Sequence, residues 1–152
     1  MADAFRIELD DTALNASLDR ITKAAAKAVR PAAQAGAEEY YFEARLRCPV
    51  SAEAHYFYGR QSKKTGVRYL FEPGNLRNSL YQVYSKDNSG QGVAQYHVAW
   101  NHQKAPYGFM VEYGTSRAPA HPFLRPAYAA VQQHALQVAN AVLLDEMRKE
   151  LA

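Results

Sequence analysis

A chain of 152 residues fits one domain with room for a core, and 22% charged against 48% apolar residues favours a folded state over a disordered one. The net charge of +3 is too small to define a nucleic-acid-binding protein by itself, and the single cysteine, Cys48, excludes an internal disulfide and a cysteine-based zinc cluster. No apolar run approaches the length of a membrane span, and MADAFRIELDD offers acids where a signal peptide needs a basic and then an apolar stretch, so cytosolic synthesis is expected.

Phe5, Ile7 and Leu9 alternate with polar residues, which predicts a short strand or extended arm. Asp10 or Asp11 can cap a following helix, because a short carboxylate accepts from free first-turn amides. Leu14, Leu18, Ile21, Ala25, Ala28 and Ala32 then fall on one helical face, a thin one suited to close packing. Pro31 should bend or break this helix, which resumes through Gly36 and ends at Arg47, before Pro49.

His55–Tyr58 and Val67–Phe71 read as strands joined by GRQSKKTG, a hairpin projecting within residues 50–72. Residues 79–86 and 93–100 form the clearest strand pair, with KDNSGQG as the turn and Trp100 directed to the core. Pro106 and Gly114 bracket a short helix, and Ala118–Pro126 is a stiff segment with three prolines. Leu124, Tyr128, Val131, Ala135, Val138 and Val142 give a last helix, beginning near Pro126 and ending about Lys149, its apolar stripe. This order predicts a single α+β domain over 1–152, a mainly antiparallel sheet packed against long N- and C-terminal helices with a short helix between.

Chemistry-bearing patterns are sparse. His55, His97, His102, His121 and His134 are scattered without ligand spacing, and no nucleophile elbow, phosphate loop or dinucleotide fingerprint is present. Ser116 near His121, and Glu72 with Glu112, have nothing to fix them as catalytic pairs. No catalytic residue, metal or cofactor is therefore expected. The charge distribution is more informative. Residues 1–20 hold five acids against Arg6 and Arg20, while residues 45–77 hold seven bases against Glu53 and Glu72. Within the hairpin, Tyr56, Tyr58, Arg60, Lys63, Lys64 and Arg68 mix aromatic and basic groups, the types that populate interface cores and that also stack on bases and contact phosphates. With so small a net charge, a protein interface is preferred to direct nucleic-acid binding.

The segment YGFMVEYGTSRAPAHPFLRPA, Tyr107–Ala127, carries an aromatic-rich helix, Val-Glu-aromatic-Gly-Thr, a basic residue and Pro-Ala-x-Pro-Phe-Leu-Arg-Pro-Ala. Upstream stands PGNLRNSL, Pro73–Leu80, a Gly-x-Leu-Arg-x-Ser-aliphatic element. Together, after a long Ala-rich helix, they resemble the tail-component family of tailed bacteriophages, small tail-completion proteins that join tail to head. The likeness covers 73–150 well, 12–47 loosely and 50–72 least. It implies a structural virion protein, made in the bacterial cytoplasm, that forms a ring (commonly hexameric) at the head-proximal end of the tail and meets head-connector and tail-tube proteins. It places Gly74, Leu76, Arg77 and Ser79 in the first element. Glu112, Tyr113, Gly114, Thr115, Pro119, Pro122, Phe123, Leu124, Arg125 and Pro126 fall in the second. The physical reading agrees: Gly114 in a left-handed conformation ends the short helix, Thr115 satisfies loop amides, Phe123 and Leu124 anchor the stiff segment, and Glu112 with Arg125 forms a charge pair within or between subunits. The rival readings are a nucleic-acid-binding module and an accessory or toxin-like protein of a mobile element.

Overall fold

The computed structural model describes residues 10–59, 62–90 and 92–152. The arm expected at Phe5, Ile7 and Leu9, and Arg60 of the suspected interface, lie outside these residues. The order is α1 (Thr12–Arg47), β1 (His55–Phe57), α2 (Ser62–Thr65), β2 (Tyr69–Phe71), α3 (Asn75–Asn78), β3 (Leu80–Tyr84), β4 (Tyr96–Trp100), α4 (Gly108–Tyr113) and α5 (Leu124–Leu151). The fold is α+β, as the patterning predicts. Among the described residues the sheet is smaller than expected: β1 pairs with β2 and β3 with β4, giving two separate antiparallel ribbons. The turn at Pro73–Gly74 and the helix α3 divert the chain between them, and strands of three residues leave little edge to share.

α1 starts where Asp10 Oδ1 accepts from the Thr12 amide (3.0 Å) and the Thr12 hydroxyl (2.6 Å). These two bonds hold the Asp10 carboxyl below its ordinary value. The helix is one continuous element through Pro31, so of the bend or break expected there the break does not occur. A missing amide costs a helix interior about 3 kcal/mol, and the tertiary packing of this stretch, in which Ala28 and Ala32 are buried, acts against that loss.

α5 lies antiparallel along α1. Near its start, the Tyr40 hydroxyl donates to the Leu124 carbonyl (3.1 Å) and the Tyr40 ring meets Tyr128 edge-on. Midway, a Cβ on Gly36 would lie 3.1 Å from the Ala135 carbonyl oxygen, so the small residues let the two backbones approach. At the far end Lys27 pairs with Glu150 (2.6 Å) and Arg20 reaches the Leu151 carbonyl (3.3 Å). At a rise of 1.5 Å per residue α1 is about 54 Å long and α5 about 42 Å. The first two turns of α1 therefore pass beyond α5. The apolar stripe predicted from Leu14 to Ala32 is packed only in its alanine half: Ala28 and Ala32 are buried, with Ala24 buried in place of the expected Ala25, which is half-buried, whereas Leu14, Leu18 and Ile21 are 61%, 51% and 45% exposed.

The β3–β4 ribbon runs in register from Leu80 opposite Trp100 to Tyr84 opposite Tyr96. It lies on the middle of α1, where the Arg30 guanidinium sits 4.4 Å over the Tyr84 ring and Gln34 accepts from the Tyr96 hydroxyl. The core gathers at the C-terminal end of α1: Cys48, Leu76, Leu80, Ala105 and Phe123, ringed by Tyr41, Trp100, Tyr107, Val111 and Leu124.

Candidate functional site

The two sequence elements at 73–80 and 107–127 meet in that core. In the first, Gly74 takes φ 79°, which turns the chain into α3, and Leu76 is buried beneath it. The buried Ser79 hydroxyl donates to the Leu76 carbonyl (2.7 Å), and Asn75 donates to the Lys104 carbonyl and the Tyr107 hydroxyl, tying the element to the loop before α4. Arg77 is exposed.

The second element is built around one carboxylate. α4 buries Glu112 to 1% exposure, with its side chain aimed at the start of α5. Oε2 accepts from the amides of Phe123 (2.7 Å) and Leu124 (3.1 Å), and Oε1 from the amide of Arg125 (3.2 Å). The next residue is Pro126, which has no amide, and the Ala127 amide already donates to the Phe123 carbonyl. Glu112 thus satisfies the open first turn of α5 from a distant position in the chain, where a local side chain would ordinarily do so. Arg125 completes the clamp: Nε donates to Oε1 (3.1 Å), a terminal nitrogen donates to the Glu112 carbonyl (3.2 Å), and the guanidinium lies 4.6 Å over the Tyr113 ring. Desolvation pushes the Glu112 carboxyl up, but the three amides and then the Arg125 side chain outweigh it and hold the group below its ordinary value. The charge pair read from sequence is formed within one chain. Its backbone half was missed, although a proline at the third position of a helix that lacks a local cap is a usable signal.

Gly114 ends α4 at φ 76°, ψ 179°. That is a positive-φ extended conformation and not the left-handed helical one expected, and it is restricted to glycine more tightly still. Thr115 Oγ1 accepts from the amides of Arg117 and Ala118, and the His121 amide returns to the Val111 carbonyl. Pro119 and Pro122 are exposed on this loop, Phe123 is fully buried and Leu124 half-buried, while Tyr113 is 52% exposed.

The expected projecting hairpin is the β1–β2 ribbon, with α2 inserted in its connection. Alternation sorts its side chains. His55, Phe57 and Phe71 surround the Tyr107 ring at 5.3, 6.0 and 5.0 Å, so this face is docked on the body. Tyr56 stands opposite Leu70 on the other face; both are exposed, and continuing the register brings Tyr58 beside Arg68, whose guanidinium is 5.6 Å from the Tyr58 ring. Of the suspected interface residues the structure therefore brings Tyr56, Tyr58 and Arg68 onto one outward face, with Lys63 and Lys64 exposed at its tip. At the base of the ribbon lies a cleft of about 260 Å³ lined by Val50, His55, Leu76, Tyr107, Val111 and His121, and His55 Nδ1 is buried there without a hydrogen-bond partner.

Among the described residues no group of three or more His, Cys, Asp or Glu is placed to share a metal ion, and no helix is long and apolar enough to cross a membrane. Ser116 and His121 are both exposed and no hydrogen bond joins them among the described residues. Comparison with known proteins gives no match: no protein-family model, no curated protein and no solved structure is detectably similar to this chain.

Proposed function

We propose that the chain is a self-assembling structural subunit of a phage particle, copies of which contact one another head to tail in a ring that completes the tail and joins it to the head. The observation that carries this reading is the amount of surface left open. The chain exposes 11547 Å², against roughly 7,700 Å² for a compact monomer of its mass. Taken as fully exposed, the twelve residues outside the described set account for at most about 2,000 Å² of the excess. Large apolar side chains contribute to it: Leu14, Leu18, Phe42, Leu46, Tyr56, Phe109 and Leu136 are each more than half exposed. A subunit that buries its surface in neighbours has this character, since permanent assemblies commonly bury about 2,000 Å² or more per contact. The resemblance of Pro73–Leu80 and Tyr107–Ala127 to tail-completion proteins supplies the kind of assembly.

Docking commits His55, Phe57 and Phe71 of the ribbon to Tyr107, so fewer of its rings remain to stack on bases, Tyr56 and Tyr58 being those that face outward. The test is complementation. Lysates lacking the chain should contain separate filled heads and tails, and adding purified protein should join them. Normally joined particles formed without this chain would overturn the proposal.

A further inference from the structure

The start of α1 and the outward face of the β1–β2 ribbon are two unfilled surfaces of matching chemistry. Beyond the point where α5 stops at Arg20, α1 presents Leu14 and Leu18 on one face, with Asp11 three residues before Leu14 on that same face and Asp10 and Asp19 close by; all are exposed. The ribbon presents Tyr56 and Leu70 as an adjacent apolar pair, with Arg68 beside them and Lys63 and Lys64 at the tip. One surface is apolar and acidic, the other apolar and basic.

We infer that the uncovered start of α1 receives the outward face of the β1–β2 ribbon of a second copy of this chain. This rests on the self-association in the reading above and specifies its contact. The two surfaces cannot meet within one molecule. The ribbon docks on Tyr107 beside the core at the C-terminal end of α1, and the acidic stripe occupies the other end of a rigid helix about 54 Å long. Like cannot pair with like either. Ribbon on ribbon would bring Lys63, Lys64 and Arg68 of two copies together, and start on start would oppose Asp10, Asp11 and Asp19, both unfavourable. What remains is donor surface on acceptor surface, a heterologous contact that propagates from copy to copy and closes where the rotation permits. Apolar contact supplies the attraction, and the charges set direction and partner.

The test uses the full chain and its mass in solution. Lys64→Glu/Arg68→Glu makes the ribbon acidic, and Asp11→Lys/Asp19→Lys makes the start of α1 basic. All four sites are exposed, so circular dichroism should be unchanged. Each double variant alone should lose association by about tenfold or more. An equal mixture of the two should recover it, because every reversed surface then finds an opposite charge on the other variant. In parallel, a chain carrying Leu18→Cys and Leu70→Cys should give, with a short bismaleimide, a ladder of covalent oligomers beyond the dimer, while either single variant, having no thiol opposite its own across the contact, gives no ladder. Cys48 is buried and does not compete. Variants that associate like the wild type, or no ladder from a wild type that does associate, would overturn the inference and leave self-association standing; a start of α1 covered by the chain's own first nine residues would show itself in the second way. A wild type that stays monomeric at every concentration, with or without added tails, would overturn both.

Discussion

Glu112→Gln removes the charge from the clamp that starts α5 and leaves the shape almost unchanged. The carboxylate accepts three backbone amides and one guanidinium nitrogen with only 1% of its surface exposed. A glutamine retains one acceptor oxygen and turns an NH2 group toward the remaining donors, so at least one amide of a buried turn loses its partner. Loss of a buried hydrogen bond to a charged group costs about 1.5–3 kcal/mol, and a charge at a partly buried helix N-terminus contributes up to about 2 kcal/mol. A destabilisation of about 3 kcal/mol follows for the variant near neutral pH, and somewhat more for Glu112→Ala, which leaves all three amides unpaired. Acid should narrow the gap. The folded-state pKa of Glu112 lies below its ordinary value, so the stabilisation is complete above the ordinary carboxylate range. It declines as pH falls through the folded value, where wild type and variant converge. Urea unfolding of both proteins at neutral pH and at about pH 3–4 measures this directly. Equal midpoints at neutral pH, or a gap that does not shrink in acid, would refute the clamp as a source of stability.

Gly114→Val should lower stability by about 3 kcal/mol or more, because a β-branched residue is strained at this positive-φ extended position and its Cβ would stand 2.8 Å from the Ala120 amide nitrogen; a melting temperature equal to wild type counts against it. Gly108→Ala drives a methyl into the Trp100 ring and should cost about 2 kcal/mol, with a change in tryptophan emission as the second readout. Cys48 is buried and burial lifts its thiol to about 11, so a disulfide reagent at neutral pH should label it only after denaturant unfolds the chain.

What was legible in the sequence follows from the range of the forces involved. The two long helices could be read because 3.6-residue periodicity and capping are local. Their bounds, Thr12–Arg47 and Leu124–Leu151, fall close to the expected ones. At Pro31 the local penalty is real, and that the helix nevertheless continues through it depends on tertiary packing, where Ala28 and Ala32 are buried. The stripe from Leu14 to Ala32 carried its period faithfully, yet periodicity does not say how far the covering element extends. The exposure of Leu14 and Leu18, together with the meeting of Arg20 with Leu151, shows where the cover stops.

The ribbon divides in the same way. Its strands and turn residues were visible, and alternation of two is enough to place Tyr56 and Tyr58 on one face. Which face is spent on Tyr107 is a long-range fact. Glu112 carries the same lesson further: its role is to complete a helix that begins twelve residues later, and in sequence it is one acid in a short helix. Docking one ribbon face on the body leaves the other with Tyr56 beside Leu70 and Arg68. A ribbon of three-residue strands is too small to be stable by itself, so covering the outer face would stabilise it as well as join two subunits. Folding of the ribbon and assembly are then linked, and the ribbon's amide protection should rise with protein concentration in the wild type and not in Asp11→Lys/Asp19→Lys, whose ribbon is intact but whose acceptor surface is reversed.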